Sequence, residues 1–208
     1  MLYLETVTSH TFSILEKLLD IPELIQFGLV GGTALSLLYG HRISEDLDIF
    51  SVTEFDNDKI ARALTKEFKS EVQIRNTNPR FGIFCYINGV KVDLVRHPHH
   101  SIKPLNIVDN IRMFSIEDIM AMKIQAILGR GKKKDFYDIA ELLNHYSVAD
   151  FIKFHKEKFD TQNLLISVPQ AMLYFADAEE SEDPKSLKKQ TWPSVKKQIS
   201  KKVRKYLK

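Results

Sequence analysis

Residues 44–50 read Ser44-Glu45-Asp46-Leu47-Asp48-Ile49-Phe50, and this short segment determines how the rest of the chain is interpreted. Because side chains alternate along a strand, Asp46 and Asp48 would share one face while Leu47 and Ile49 point to the other. Two neighbouring carboxylates repel each other unless a cation lies between them. The segment therefore indicates a strand whose acidic face would suit a hard divalent cation bound through oxygen ligands. Taken alone it is equally compatible with an exposed acidic strand end, which is common.

A third carboxylate follows on a predicted β-hairpin. The runs 81–87 and 90–95 flank Asn88-Gly89, a residue pair typical of a two-residue hairpin turn. That turn places Asp93 across from Phe84 in the sheet. If its strand neighbours the first acidic strand, the three acids could hold two metal ions. Taken by itself, Asp93 is equally compatible with an ordinary polar face.

A glycine turn lies about a dozen residues before the acidic strand. The apolar run 27–30 ends at Gly31-Gly32, and Thr33 is predicted to cap a helix that continues to Tyr39. Glycines allow a phosphate to approach the backbone, and a helix N-terminus favours an anion. A phosphate-binding turn and a purely structural tight turn both fit this segment.

The remaining elements follow from hydrophobic periodicity and from helix breakers. Before residue 111 we predict helices over 3–20 and 57–68 and a strand over 71–75. After it the chain is predicted to be helical, over 115–129, 134–146, 149–158, 164–176 and 192–206. The segment 178–190 is the best linker candidate. The pattern predicts an α+β protein with a mixed sheet in residues 1–110 and a helical bundle in residues 111–208.

Composition excludes several protein classes. Of the 208 residues 44% are hydrophobic and 27% are charged, which is typical of a globular chain rather than a disordered, collagen-like or coiled-coil protein. The longest uncharged stretch, 24–40, is too short for a bilayer span and contains glycines. The single cysteine, Cys85, fits a reducing compartment, and no signal peptide opens the chain. We therefore expect a cytoplasmic protein without a membrane partner.

The charge is unevenly distributed. Residues 184–208 contain ten Lys or Arg and no acid, whereas residues 1–183 have a balance of −7, from 20 basic and 27 acidic side chains. A basic end is attractive to nucleic acid. A docked amphipathic helix with solvated lysines explains the same pattern, since one helical stripe is apolar. That stripe consists of Trp192, Val195, Ile199, Val203 and either Tyr206 or Leu207.

Charged residues also interrupt two apolar helix faces. Lys123 falls in line with Met120 and Ile127, and Asp135 and Asp138 extend the buried face of the following predicted helix. A lysine on an apolar face usually reaches solvent or pairs with an acid. Two interpretations stay open: a salt bridge that joins the two helices, or a lysine held by an acid and directed at phosphate oxygens.

These motifs together resemble the AbiEii/AbiGii-type toxin nucleotidyltransferases of the DNA polymerase β-like nucleotidyltransferase superfamily. The first motif is Leu29-Val30-Gly31-Gly32-Thr33-Ala34-Leu35 followed by Arg42-x-Ser44-x-Asp46-Leu47-Asp48-Ile49-Phe50. The second is Lys123-Ile124-Gln125-Ala126, then Arg130, then Lys134-Asp135-Phe136-Tyr137-Asp138. The resemblance covers roughly residues 27–146.

The resemblance implies a nucleotidyltransferase core followed by a helical domain, and it assigns roles to individual residues. The metal ligands, for Mg²⁺ or Mn²⁺, would be Asp46, Asp48 and Asp93. Lys123 and Asp135 would join these three acids in the catalytic machinery. The nucleotide-binding residues would be Gly31, Gly32, Thr33, Arg42, Ser44, Lys123 and Arg130.

The resemblance further implies a bacterial toxin that acts on an NTP and an RNA acceptor, the 3′ end of a tRNA, and that has a separately encoded antitoxin. Two alternatives remain at this point. The acceptor could be a small molecule such as an aminoglycoside, or a protein hydroxyl. The chain could also be a non-catalytic relative that binds nucleotide or RNA.

Overall fold

The computed structural model describes residues 1–78 and 81–208. The strands in these residues are β1 (Gly28–Leu29), β2 (Leu47–Ser51), β3 (Val72–Asn78), β4 (Gly82–Ile87), β5 (Val90–Arg96), β6 (Asn106–Val108) and β7 (Ile111–Met113). The α-helices are α1 (Ser9–Asp20), α2 (Gly31–Tyr39), α3 (Asn57–Phe68), α4 (Ile116–Gly129), α5 (Lys133–Leu142), α6 (Val148–Lys158), α7 (Val168–Leu173) and α8 (Trp192–Tyr206). None of the helices in the described residues is long and apolar enough to cross a membrane.

The strands form one mixed sheet in the order β3-β4-β5-β2-β1-β7-β6. β2 is parallel to β5 and β1 is parallel to β7, and the other neighbouring pairs are antiparallel. The predicted hairpin is present, with φ of 46° at Asn88 and 83° at Gly89. Positive φ at both central residues is what a type I′ hairpin turn requires. The predicted α+β class is confirmed.

Some predicted elements are shorter in the structure. The first helix begins at Ser9, after a 3₁₀ turn at Leu4–Thr6. The helix predicted over 164–176 is confined to Val168–Leu173, because Pro169 is tolerated only in the first turn of a helix. The hairpin β6–β7 was not predicted, since strands of three residues are too short for a periodicity signal.

The helices α4 to α8 pack mainly on one another, with α8 against α5, α6 and α7. The predicted apolar stripe of α8 is buried at Trp192, Val195, Ile199 and Val203. Its predicted continuation is wrong: Tyr206 and Leu207 are 47% and 61% exposed, so the packed stripe ends one turn earlier.

The boundary between the sheet and the helices lies close to the predicted division of the chain. The strand β7, at Ile111–Met113, belongs to the sheet, and α4 begins at Ile116. The division at residue 110 stays a prediction.

The segment that was predicted as a linker is anchored to the loop between α2 and β2. The backbone N–H of Ile43 donates to the carbonyl of Lys185, and the N–H of Leu187 donates to the carbonyl of His41, both at 2.9 Å. Arg42 and Ser186 form an antiparallel bridge between these bonds. Residues 185–187 therefore pair with residues 41–43, and the loop before β2 gains ordered backbone partners.

Candidate active site

Two acidic side chains meet at the centre of the sheet. Asp48 on β2 is in register with Asp93 on β5, and Phe84 on β4 is in register with Asp93 from the other side. Asp46 lies immediately before β2 and is 40% exposed. The two acidic strands are neighbours, so the condition stated for a shared site is met, and the three acids line one cavity.

The negative charge of Asp48 and Asp93 is only partly compensated. Burial, and after it the charge of Asp93, raises the pKa of Asp48 above the usual value for an aspartate. The Oδ1 atom of Asp93 is buried and has no hydrogen-bond partner among the described residues. An unpartnered buried carboxylate oxygen is destabilising, and a bound cation would relieve it.

Two lysines partly neutralise these acids, and both were absent from the predicted site. Lys91 Nζ lies 2.5 Å from Asp93 Oδ2, and Lys134 Nζ lies 3.3 Å from Asp46 Oδ2. A signal for Lys91 exists in the sequence, because it precedes Asp93 by two residues and so shares its strand face. Lys134 is brought to Asp46 only by the packing of α5, which no local pattern reveals.

The donor set fits a hard divalent cation at Asp48 and Asp93, since both offer only oxygen. In residues 1–78 and 81–208, no three His, Cys, Asp or Glu side chains are already grouped as a metal site. The carboxylate of Asp46 forms an ion pair with Lys134, and it would become a metal ligand only after this ion pair is broken. The contact between them is partly exposed and contributes little stability.

The glycine turn lies beside Asp48. Gly31 has a φ of +72°, and a Cβ at this position would lie 2.9 Å from Asp48 Oδ2. A Cβ on Gly32 would collide with the guanidinium of Arg42. The helix α2 begins at Gly31 without a side-chain cap from Val30, so its first N–H groups can serve an anion.

The predicted cap by Thr33 is wrong, because Thr33 lies inside α2 and bonds elsewhere. Its Oγ1 lies 2.8 Å from Ser44 Oγ and also donates to the carbonyl oxygen of Asp46. These bonds hold the loop that carries Asp46 against the first turn of α2. Thr33 and Ser44 line the cavity, with their hydroxyls engaged with each other.

Behind the glycine turn lies a buried ionic cluster formed by His41, Arg42, Lys123, Asp135 and Asp138. Asp138 accepts bonds from His41 Nε2 at 2.7 Å, from Arg42 Nε at 2.7 Å and from Arg42 Nη2 at 3.0 Å. Lys123 Nζ lies 2.5 Å from Asp138 Oδ2 and 3.0 Å from Asp135 Oδ1. The interhelical salt bridge considered for Lys123 is therefore present.

This cluster keeps its charges although it is almost inaccessible to water. Burial alone would raise the pKa of Asp138, but the charges of Arg42 and Lys123 hold it well below the usual value for an aspartate. Burial would lower the pKa of Lys123, yet the carboxylates of Asp138 and Asp135 raise it. Lys123 remains a cation and also lines the cavity, so both interpretations of this residue are compatible with the structure.

The cavity between the sheet and α4 has a volume of about 390 Å³, a size typical of small-ligand sites. One wall is apolar and comes from α4, through Ile119, Met122 and Ala126. The opposite wall is the acidic face of the sheet. Arg130 lines the cavity too, is 57% exposed, and has its Nε 3.6 Å from Asp135 Oδ2.

The chain is similar to known proteins over nearly its whole length. The family described as "Nucleotidyl transferase AbiEii toxin, Type IV TA system" matches residues 13–205. An uncharacterized protein of Aquifex aeolicus (strain VF5) is 32% identical over 201 residues, which cover 93% of this chain and 94% of that protein.

Two solved structures share the fold. A putative nucleotidyltransferase from Helicobacter pylori has a TM-score of 0.59 at 18% identity and covers 95% of this chain and 94% of its own. The nucleotidyltransferase toxin MenT4 from Mycobacterium tuberculosis has a TM-score of 0.60 at 12% identity, with coverage of 93% and 81%. At these identities the likeness concerns the fold alone. The family match over nearly the whole chain goes further: the chain belongs to the AbiEii nucleotidyl transferase toxin family and is a nucleotidyltransferase.

Proposed function

We propose that this nucleotidyltransferase transfers a nucleoside monophosphate from an NTP to a hydroxyl at the 3′ end of a tRNA, in the cytoplasm. We further propose that it is the toxin of a toxin–antitoxin or abortive-infection system whose antitoxin is encoded separately. One observation carries the reaction class. Asp48 and Asp93 are in register on adjacent strands, beside a glycine turn at an uncapped helix N-terminus.

The residues of this chain divide into a triphosphate-binding part and an acidic part. The backbone at Gly31 and Gly32 and the N-terminus of α2 would bind the β- and γ-phosphates. The buried cluster and Arg130 together contain three cations and two carboxylates, so a surplus charge of +1 would face the leaving group. Thr33 and Ser44 would hold the loop that positions Asp46.

Asp46, Asp48 and Asp93 would hold Mg²⁺ or Mn²⁺. When bound there, such ions neutralise the triphosphate and lower the pKa of the acceptor hydroxyl. The Oδ1 of Asp93, which has no hydrogen-bond partner among the described residues, would accept the hydroxyl proton. The hydroxyl oxygen then forms a bond to the α-phosphorus while the bond to the pyrophosphate oxygen breaks. Lys123 stays charged between Asp135 and Asp138 and would stabilise the departing pyrophosphate.

The test is a transfer assay with purified protein, Mg²⁺, total bacterial tRNA and each α-labelled NTP in turn. We expect label on tRNA with one or more NTPs, and a loss of at least about a thousandfold in Asp48→Asn, in line with several kcal/mol of metal-dependent stabilisation. Asp160→Asn is the matched control, because Asp160 is an exposed aspartate two residues after the end of α6. Equal labelling by Asp48→Asn and wild type would refute the role of the acids. Labelling of a small molecule or a protein in place of tRNA would refute the acceptor.

A further inference from the structure

A straight row of residues crosses the sheet at the site. Phe84 on β4, Asp93 on β5 and Asp48 on β2 are in register, and the N–H of Val30 donates to the carbonyl of Asp48 at 2.9 Å. Val30 leads directly into the turn at Gly31. Neighbouring strands are about 4.8 Å apart, so the order along this row is aromatic ring, acid, acid, glycine turn.

This order fixes the side from which an acceptor arrives. In phosphoryl transfer the attacking and leaving oxygens lie roughly in line with the phosphorus between them. With the β- and γ-phosphates at the glycine turn, the leaving group lies on the β1 side of Asp48 and Asp93. The attacking hydroxyl must then approach from the opposite side, across β4.

The β4 side of the row presents aromatic side chains. Phe84 and Phe81 both line the cavity, and Phe81 is 56% exposed. Tyr86 lies two residues beyond Phe84 on the same face and is half-buried. The opposite face of β4 consists of buried Ile83, Cys85 and Ile87, on the side where α3 packs. The aromatic face is therefore not needed to cover the core.

Two cations accompany these rings. Lys91 on β5 is in register with Tyr86, and its side chain is 43% exposed. The register of β3 against β4 shifts between Ile74 and Asn76, which makes Arg75 the extra residue of a bulge. Bulges redirect side chains, and the Arg75 guanidinium carbon lies 4.9 Å from the centre of the Tyr86 ring.

We propose that this face of β3–β5 is the platform on which the single-stranded 3′ end of the RNA acceptor lies. We call it the acceptor platform, and it consists of Arg75, Phe81, Phe84, Tyr86 and Lys91. The terminal bases stack on Phe84 and Tyr86, and Lys91 and Arg75 neutralise the adjoining phosphates. Stacking rings interleaved with cations are how proteins hold single-stranded nucleic acid without reading its sequence. The proposal rests on the proposed function, because it takes the tRNA 3′ end as acceptor.

The test separates the two substrates kinetically. Initial rates are measured with total tRNA varied at saturating NTP, and then with NTP varied at saturating tRNA. Phe84→Ala and Tyr86→Ala should each raise the KM for tRNA about tenfold, as expected for the loss of one stacked base, with the KM for NTP unchanged. Phe84→Tyr keeps an aromatic ring and should restore the wild-type KM. Tyr174→Ala is the matched control, since Tyr174 is a 51% exposed aromatic residue that is not part of the acceptor platform.

The outcomes distinguish this proposal from the function on which it rests. If both alanine variants label tRNA with an unchanged KM for tRNA, the acceptor platform is not where the RNA binds, and the proposed function is unaffected. A rise in the KM for NTP alone would also overturn the acceptor platform, because the rings would then hold the base of the NTP. Absence of any tRNA labelling by the wild-type protein would overturn the RNA acceptor itself and the acceptor platform with it.

Discussion

Substitution of Asp138 by alanine is expected to destabilise the fold severely. Asp138 is fully buried and accepts bonds from His41, from two nitrogens of Arg42 and from Lys123. Arg42 and Lys123 are only 3% and 5% exposed, so they cannot recover hydration when the carboxylate is removed. Removing one partner of a buried ion pair costs roughly 3–5 kcal/mol. Without Asp138, Lys123 would still pair with Asp135, but Arg42 would lose its carboxylate partner. We expect a loss of about 4 kcal/mol in the free energy of unfolding.

The measurement is urea unfolding followed by circular dichroism. With an m-value of about 2.5 kcal/mol/M for a chain of this length, the midpoint should fall by about 1.6 M. Asp183→Ala provides the control, because Asp183 is 64% exposed and pairs with Lys133 at 3.4 Å. Its midpoint should change by no more than about 0.4 M, because surface ion pairs contribute at most about 1 kcal/mol. Equal shifts in the two variants would refute the reasoning from buried charge.

The same substitution has a defined pH dependence. The pKa of Asp138 is depressed in the native state, whereas an aspartate in an unfolded chain has a pKa of about 3.9. Its contribution to stability is therefore complete above that pH and is lost as the pH falls toward the native pKa. The difference between wild type and Asp138→Ala should be constant near neutral pH and should shrink below about pH 4. A difference that grows on acidification would contradict the assigned charge state.

Three further predictions concern the site. Gly31→Ala should weaken NTP binding in calorimetry, because the new methyl group would meet the carboxylate of Asp48. Gly89→Ala is the control and should leave binding unchanged, because Gly89 also has a positive φ, of +83°, but has open space around it. Lys91→Met should raise the affinity for Mg²⁺ about fivefold, because the ion would no longer compete with the Lys91 ammonium group for Asp93. The expected factor corresponds to an ion pair of about 1 kcal/mol. Equal or weaker Mg²⁺ binding would show that Lys91 and the ion do not compete. If α8 contacts RNA, Lys201→Ala should reduce the steepness with which the logarithm of the tRNA binding constant falls against the logarithm of the salt concentration, by about one unit of slope. An unchanged slope would indicate that Lys201 is solvated and does not contact RNA.

Local patterns were sufficient for the elements that carry the acids. Alternation correctly separated Asp48 from the buried Leu47 and Ile49, and Asn88-Gly89 specified the hairpin that sets Asp93 across from Phe84. These features depend on residues only a few positions apart, where backbone geometry alone decides the outcome. Asp46, which was predicted to share the face of Asp48, lies just before β2 and pairs with Lys134. The roles that the resemblance assigns to individual site residues stay predictions.

Contacts between distant segments could not be read in this way. The pairing of Lys134 with Asp46 and of Arg42 with Asp138 joins residues 88 and 96 positions apart. Thr33 has the sequence context of a helix cap, but its hydroxyl instead meets Ser44, because the loop before β2 folds back onto α2. A sequence pattern describes which side chains are polar, and tertiary packing decides which polar partner each one finds.

The pairing of residues 185–187 with residues 41–43 has a consequence for synthesis of the protein. The chain emerges from the ribosome N-terminus first, so the acidic strands and the glycine turn are available long before residue 187. The loop that carries Arg42 receives these backbone partners only after residues 185–187 have left the exit tunnel. A nascent or prematurely terminated chain without residues 185–187 would therefore lack these backbone partners of the loop that leads into β2.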